Sequence, residues 1–512
     1  MQRFQVFKNG EPASAVDMSG AYLIGSDGVP LRADIDFREG FVRCQKRTEG
    51  AAGLVLLWPI EGVGRVMLDT TRLPERKEPY NLHVELARGR LTRISQKRED
   101  WGLYDFDGVG ELSDTLDEAR DLFIEALKAQ DPAIAASFAD RALQRSVITG
   151  EKLSLFHADV FLGRRRQSNA FARRLFGCSV DLNASHDSYR GAIPKNFEFV
   201  TLPVPWRLVE PKEQEFDWAP VDSWVDWLSK NRVPIKMSPL VSFSEKNLPD
   251  WIYIWEHDFE TVRDLVYEHV RRVVQRYGPY VTSWIVVSGV HAENTFNYNF
   301  EQLMELSRMT AALTKQLAPR ASTIIELVAP WGEYYARNQR TIPPMLYAEM
   351  AVQSGITFDA FGLQSFVGVG AEGMYVRDMF QVSAMIDRFG NLGKPLHITG
   401  AGAPSDTTAD EADAWGGALL PETGGQWHEA WSGKTQAAWL RCLYQIALSK
   451  PYVESITWSD LADVGKHRMP HGGLLGADLK PKPALEVLRA IRKDITGSAT
   501  PATRRPKKPD QG

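Results

Sequence analysis

The stretch "WIVVSGVHAEN" runs from Trp284 to Asn294. The β-branched run Ile285-Val286-Val287 stops abruptly at Ser288-Gly289, which reads as a buried strand opening into a loop. Seven further runs share this character: "FGCSVDL", "FEFVTLP", "PIKMSPLV", "STIIELVAP", "FDAFGLQS", "PLHITGAG" and "VESITWSD". Amphipathic patterns such as "FETVRDLVYEHVRRVVQRYG" and "NFEQLMELSRMTAALTKQLAP" separate them. Eight strand–helix units over roughly 330 residues predict an α/β fold, a (β/α)8 TIM barrel. A doubly wound sheet is the alternative. No GxGxxG follows the first strand and no GxxxxGK[ST] occurs anywhere, so nucleotide binding has no support and no cofactor is expected.

Upstream, the pattern differs. Residues 1–112 break into short apolar runs, "AYLIG", "GFVRCQ", "GLVLLWPI", "GRVMLDT" and "NLHVELARGRLTRIS", punctuated by Gly, Pro, Asn and Asp. That spacing predicts a β-sandwich-like domain preceding the barrel. Residues 113–167 have a helical period, with Ser113 or Asp114 as a candidate N-cap, and are expected to form a helical linker segment. The barrel is assigned to 168–495, and 496–512, with "RRPKKP", to a disordered basic tail.

Composition excludes several function classes. The net charge of -5 argues against nucleic acid or an anionic membrane as the main partner. Cys44, Cys178 and Cys442 are far apart and form no CxxC, which suits a reducing compartment and offers no zinc site. The N-terminus has no apolar h-region and no run of 18 apolar residues occurs, so a cytoplasmic location is expected.

Several strand ends resemble glycoside hydrolase family 10, the β-xylanase family. The stretch from "FVTLPVPWRLVEPKEQEFDW" to "NLPDW" resembles its second and third units, through Trp206, Glu210 and Pro211, the Phe-Asp-Trp that follows, and Leu248, Pro249 and Trp251. "RYGPYVTSWIVVSG" resembles the unit ending in Trp-Asp-Val-Val-Asn-Glu. "FDAFGLQSFV" resembles the Gly-x-x-x-Gln-x-His unit and "GKPLHITGAG" the Ile-Thr-Glu strand. "SITWSDLAD" and "GGLLGADLKPKPA" resemble the closing strand and tail, so the likeness runs from about 150 to 492. It implies a β-linked oligosaccharide or polysaccharide ligand of the xylan class.

The family's retaining mechanism needs two carboxyl groups about 5–5.5 Å apart. By resemblance the acid/base position falls on Gly289 and the nucleophile position on Gly400, and neither can transfer a proton or attack. Other pocket residues depart too. The Glu-Asn-x-x-Lys element becomes Thr201-Leu202-Pro203-Val204-Pro205, the Trp-His pair becomes Ser242-Phe243, and Gln-x-His keeps only Gln364. The usual two-glutamate route is therefore not expected.

Replacement candidates are Glu293, Glu326 and Asp460. Glu293 is four residues past Gly289 and can re-enter the pocket from the same loop; alternatively it begins the next helix, where a carboxylate suits the dipole. Glu326 ends an apolar run, and a carboxylate buried there needs a partner or a role. Gln364, Trp458, Trp206 and Trp331 are the candidate sugar-binding residues. Asp460, Asp463, His467 and His471 are ligand types, but their spacing fits no metal template and no metal is expected. Three functions stay open: a glycosidase-like enzyme, a non-catalytic glycan or protein binder, and a barrel with another reaction.

Overall fold

The computed structural model describes residues 1–497 apart from 104, 105, 107 and 185. The basic tail expected at 496–512 thus lies almost wholly outside the described residues. All eight expected barrel strands form, in chain order, and close on themselves. They are Phe176–Ser179, Phe199–Pro203, Ile235–Ser238, Val281–Ser288, Ser322–Leu327, Ala360–Phe366, Leu396–Gly402 and Val453–Trp458. Every neighbouring pair is parallel, and the ring closes where Phe176 opposes Ile456 and Cys178 opposes Trp458. Helices on the outside bury one stripe each. In Phe259–Tyr277, Val262, Val266, Val270, Val273, Val274 and Tyr277 face inward, the i, i+4 spacing of an amphipathic helix.

Among the described residues the N-terminal region forms two larger sheets and a short hairpin, Phe7–Lys8 with Glu11–Pro12. One orders Tyr80–Asn81, Gln2–Gln5, Phe41–Lys46 and Ala33–Arg38; the other contains Pro30–Leu31, Tyr22–Gly25, Ala52–Ile60 and Gly64–Asp69. The strand Ala52–Ile60 is apolar on both faces for a period-two reason. Leu54, Leu56 and Trp58 point into the core shared with Phe4 and Val42, whereas Val55 and Leu57 join Met67, Ala336 and Tyr375 against the barrel.

The run "NLHVELARGRLTRIS" departs from expectation. It is the helix Leu82–Asp100, and its buried residues include Leu82, Leu86, Arg90, Ile94 and Arg98, one every four positions. The local alternation of "NLHVEL" imitates a strand, but the longer period governs. Gly110–Lys128 and Pro132–Gln167 follow. The first of these starts at Gly110 with Val109 as its cap, so neither Ser113 nor Asp114 caps it. Asp131 caps the second through the backbone N–H groups of Ala133 (2.7 Å) and Ile134 (3.4 Å), with Pro132 in the first turn. This 36-residue helix packs along two barrel helices, Met379–Gly390 and Gly433–Ser449. No helix among the described residues is long and apolar enough to cross a membrane.

Candidate functional site

A cavity of about 730 Å3 opens at the C-terminal ends of the barrel strands, the face on which βα-loops build sites in this architecture. Its floor takes one or two residues from each strand end: Ser179, Thr201, Ser238, Ser288, Glu326, Gln364, Thr399 with Gly400, and Ser459 just past the last strand. Small hydroxyls dominate, and one carboxylate stands among them.

That carboxylate is Glu326, 4% exposed. Its Oε2 accepts hydrogen bonds from Ser288 Oγ and from Gln364 Nε2, the latter at 3.1 Å. The parallel register sets Ser288 directly opposite Glu326, so both point inward together. A buried carboxylate with two donors is held in place by them.

Gly289 turns the chain out of the fourth strand at φ +64°, a conformation L side chains rarely adopt. The N–H groups of Ala292 (2.9 Å) and Glu293 (2.8 Å) both donate to the Gly289 carbonyl, closing a tight turn. The turn carries Glu293 back over the cavity. A Cβ on Gly289 would lie 3.0 Å from Val328 Cγ2 and 3.5 Å from Glu293 Oε2. The Glu293 carboxyl thus occupies space next to where a side chain at 289 would begin. Glu293 does not start the next helix: that is Phe300–Leu317, capped by Asn299. The side chain touches water through the cavity. Enclosure by the walls raises its pKa, with the Glu326 charge adding and Arg468 and Lys246 opposing.

Gly400 lines the cavity on the other side. A Cβ there would meet Phe366 Cζ at 2.9 Å and Ser459 Oγ at 3.1 Å, so an aromatic ring and a hydroxyl take that space.

Glu293, Glu326, Gln364 and Gly400 therefore come together; the other candidates do not join them. Trp458 is fully buried, donates its indole N–H to the Gly472 carbonyl (2.9 Å) and packs edge-on against Trp439. It has no face open to a sugar. Trp206 stacks on His269 at 4.4 Å and donates to Glu210 Oε2 (2.8 Å), while Trp251 donates to the Glu210 carbonyl (2.9 Å). The Trp-x-x-x-Glu-Pro element is thus a structural clamp. Trp331 lies under the Arg377 guanidinium, 4.3 Å away, and is not part of the cavity wall. Phe243, where the resemblance puts a histidine, packs among Phe296 and Tyr298.

Asp460 lines the adjoining cavity of about 700 Å3, but both its oxygens are engaged by the backbone N–H groups of Arg468 (2.8 Å) and Met469 (3.0 Å). Asp463 accepts from the Gly473 N–H (2.7 Å) and pairs with Lys482. His467 Nε2 and the His471 N–H both bond Asp410 Oδ2, each at 2.7 Å. These acids and histidines fold the loop after the last strand. His291 is structural as well. Its Nε2 accepts from the Val328 N–H (3.3 Å), which leaves the proton on Nδ1 to donate to Tyr334 Oη (2.6 Å).

Among the residues of the cavity wall that the sequence did not single out are Lys246, Trp415 and Arg468. Lys246 Nζ donates to the Ala414 carbonyl (3.1 Å) and lies 5.9 Å over the Trp415 ring, joining the loops after strands three and seven. The only signal available was a lone tryptophan in the long non-periodic loop "GAPSDTTADEADAWGG".

The family model described as Glycosyl hydrolase family 10 matches residues 165–489. The Beta-1,4-xylanase of Dictyoglomus thermophilum is 30% identical over 115 residues, 22% of this chain and 31% of that protein. The Endo-1,4-beta-xylanase/feruloyl esterase of Xylanibacter ruminicola is 20% identical over 345 residues, 60% of this chain and 44% of that protein. The chain thus spans under half the length of these curated relatives. Among solved structures, native xylanase 10B from Thermotoga maritima is 17% identical, with TM-score 0.47, covering 65% of this chain and 99% of that one. The GH10 structure from Paenibacillus barcinonensis is 19% identical, with TM-score 0.47, covering 67% and 98%.

Proposed function

The chain belongs to glycosyl hydrolase family 10, and from that premise we propose that its barrel mouth takes a β-linked oligosaccharide of the xylan class and cleaves it with relocated carboxyl groups. Gly289 and Gly400 stand where the resemblance puts the two catalytic glutamates. Glu293 takes the role of proton donor to the leaving oxygen, and Glu326 that of the partner carboxylate. The observation that carries this reading is the turn at 289–293, which brings Glu293 Oε2 within 3.5 Å of the Cβ position of residue 289. The raised pKa suits a group that must hold its proton before giving it up. The Ser288 and Gln364 hydrogen bonds suit a carboxylate kept oriented toward a developing positive charge. Trp415 offers the stacking surface. The xylanase names of the curated relatives support the substrate class.

A second reading, a glycan-holding protein without turnover, draws on Gly400, where a ring and a hydroxyl replace any nucleophile. One experiment separates them: turnover of aryl β-xylosides and binding of xylo-oligosaccharides by the purified protein. For the enzyme, Glu293→Gln lowers turnover by about 10²–10⁴-fold while binding persists. Saturable binding with no turnover in the unmodified protein selects the second reading. Absence of binding sinks both. If turnover occurs, the anomer first released reports the carboxyl separation, about 5–5.5 Å for retention and about 6.5–9.5 Å for inversion.

A further inference from the structure

At the opposite end of the barrel, where the strands begin, lies another cavity of about 360 Å3, room for roughly ten waters. Arg173, Arg174, Lys236, His397, Ser455 and Glu454 line it. Lys236 enters from the third strand and is 4% exposed. Its ammonium donates to Ser455 Oγ (3.1 Å) and lies 4.7 Å over the Phe199 ring. Among the described residues no carboxylate stands within ion-pair distance of it. His397 Nδ1 bonds the same Ser455 Oγ at 2.7 Å. Its buried Nε2 has no hydrogen-bond partner among the described residues, although Glu454 Oε2 is 3.5 Å away. At the rim, Arg173 is exposed and Arg174 half-buried, and neither makes an ion pair among the described residues.

An ammonium removed from water without a counter-ion is costly, and the usual remedies are a partner or loss of the proton. Burial pulls Lys236 down to about 7, against the opposing charges of Glu326 and Glu454. Burial and the Lys236 charge together press His397 well below its ordinary range. The cavity therefore concentrates nitrogen donors around an open volume, with one acidic residue, half-exposed, on its wall.

We propose that this cavity binds a small oxyanion, the phosphate or carboxylate group of a metabolite, held by Arg173 and Arg174 at the rim and by Lys236 and Ser455 at the floor. The two guanidinium groups supply forked donors suited to such groups. The Lys236 nitrogen supplies a buried donor at the floor, and a bound anion would favour its protonated form. This site is separate from the carbohydrate cavity at the other mouth.

The test measures melting temperature and binding heat with inorganic phosphate, a hexose phosphate and citrate, each against sodium chloride at matched ionic strength. A saturable shift with at least one of them is expected. It weakens at least tenfold in the double variant Arg173→Ala/Arg174→Ala, which removes only rim side chains, and in Lys236→Met. Xylo-oligosaccharide binding by the double variant stays unchanged, so loss of this site and loss of the carbohydrate site are told apart. Preference for the hexose phosphate identifies phosphate as the group, and preference for citrate a carboxylate. No shift beyond chloride with any of the three overturns the proposal, as does a shift that survives in both variants.

Discussion

At the scale of single residues, Gly289 and Glu293 act as a pair, because the positive φ of the first aims the second. Gly289→Ala forces a Cβ into a left-handed conformation and against Val328 Cγ2. The expected cost is roughly 1–2 kcal/mol, read as a lower urea midpoint at unchanged slope. A change within about 0.5 kcal/mol would mean the turn is not needed. Turnover should also carry an alkaline limb above the ordinary carboxylate range, because a raised pKa keeps Glu293 protonated to higher pH. A rate profile that falls already near pH 4.5, the ordinary glutamate value, would remove Glu293 from the donor role. Trp415→Ala is expected to weaken xylo-oligosaccharide binding about tenfold, or ~1.4 kcal/mol, measured below the variant's melting temperature because Trp415 also packs against the cluster that includes Phe366 and Met469. Trp458 is the contrasting case: 0% exposed, it belongs to the core.

At the scale of elements, the loops after strands seven and eight are fastened by Asp410 and His467, whose side chains are 10% and 4% exposed. Burial presses His467 down, but the Asp410 hydrogen bond and the charges of Asp460, Asp410 and Asp463 outweigh it and leave the pKa raised. Burial presses Asp410 up, and the His471 N–H with the His467 side chain brings it below 3.8. A raised histidine contributes stability that is complete below its unfolded value near 6.5 and is lost as pH rises through its folded value. The lowered aspartate contributes above 3.8 and loses its share as pH falls through its folded value. The fastening is thus strongest between about pH 4 and 6.5. Melting curves of the unmodified protein and His467→Ala should separate most in that window and converge above neutrality. A separation independent of pH would assign the pair no electrostatic role.

At the scale of the whole molecule, the N-terminal sheets and the barrel share structure across a large sequence distance. Gln426–Trp427, from the loop after strand seven, pairs with Gly64–Arg65 as an added edge strand. The Met67 N–H donates to the Val376 carbonyl at 2.8 Å. Arg90, from the Leu82–Asp100 helix, makes a two-pronged bond to Asp378 at 2.9 and 3.0 Å, with both side chains at most 2% exposed. Asp378 also caps the barrel helix Met379–Gly390. Removing one member of a buried pair strands the other, so Arg90→Ala should cost about 3–5 kcal/mol, measured by urea unfolding. A loss below about 1 kcal/mol would mean that water reaches Asp378. The same connections bear on the loop that carries Trp415, since its far end is stitched into the second N-terminal sheet.

Read alone, the sequence determined the barrel. Each strand and each outer helix writes its burial into a short-range period of 2 or 3.6, and eight such units in order leave few ways to close. It failed at Leu82–Asp100, where six residues of alternation masked a fourfold period. It also brought Glu293, Glu326 and Gln364 forward as candidates, because carboxylates and amides at apolar strand ends stand out. Which candidates meet depends on contacts between distant parts of the chain. Ser288 and Gln364 each lie 38 positions from Glu326, and Lys236 lies 219 from Ser455. Such pairs are set by barrel register and loop path, which no local period encodes. For the same reason the tryptophans could not be sorted in advance. Trp206 and Trp458 sit in the motifs that resemble the family yet are core, while Trp415, in a loop without a motif, reaches the cavity. Exposure of a ring depends on what packs over it, and those neighbours come from elsewhere in the chain.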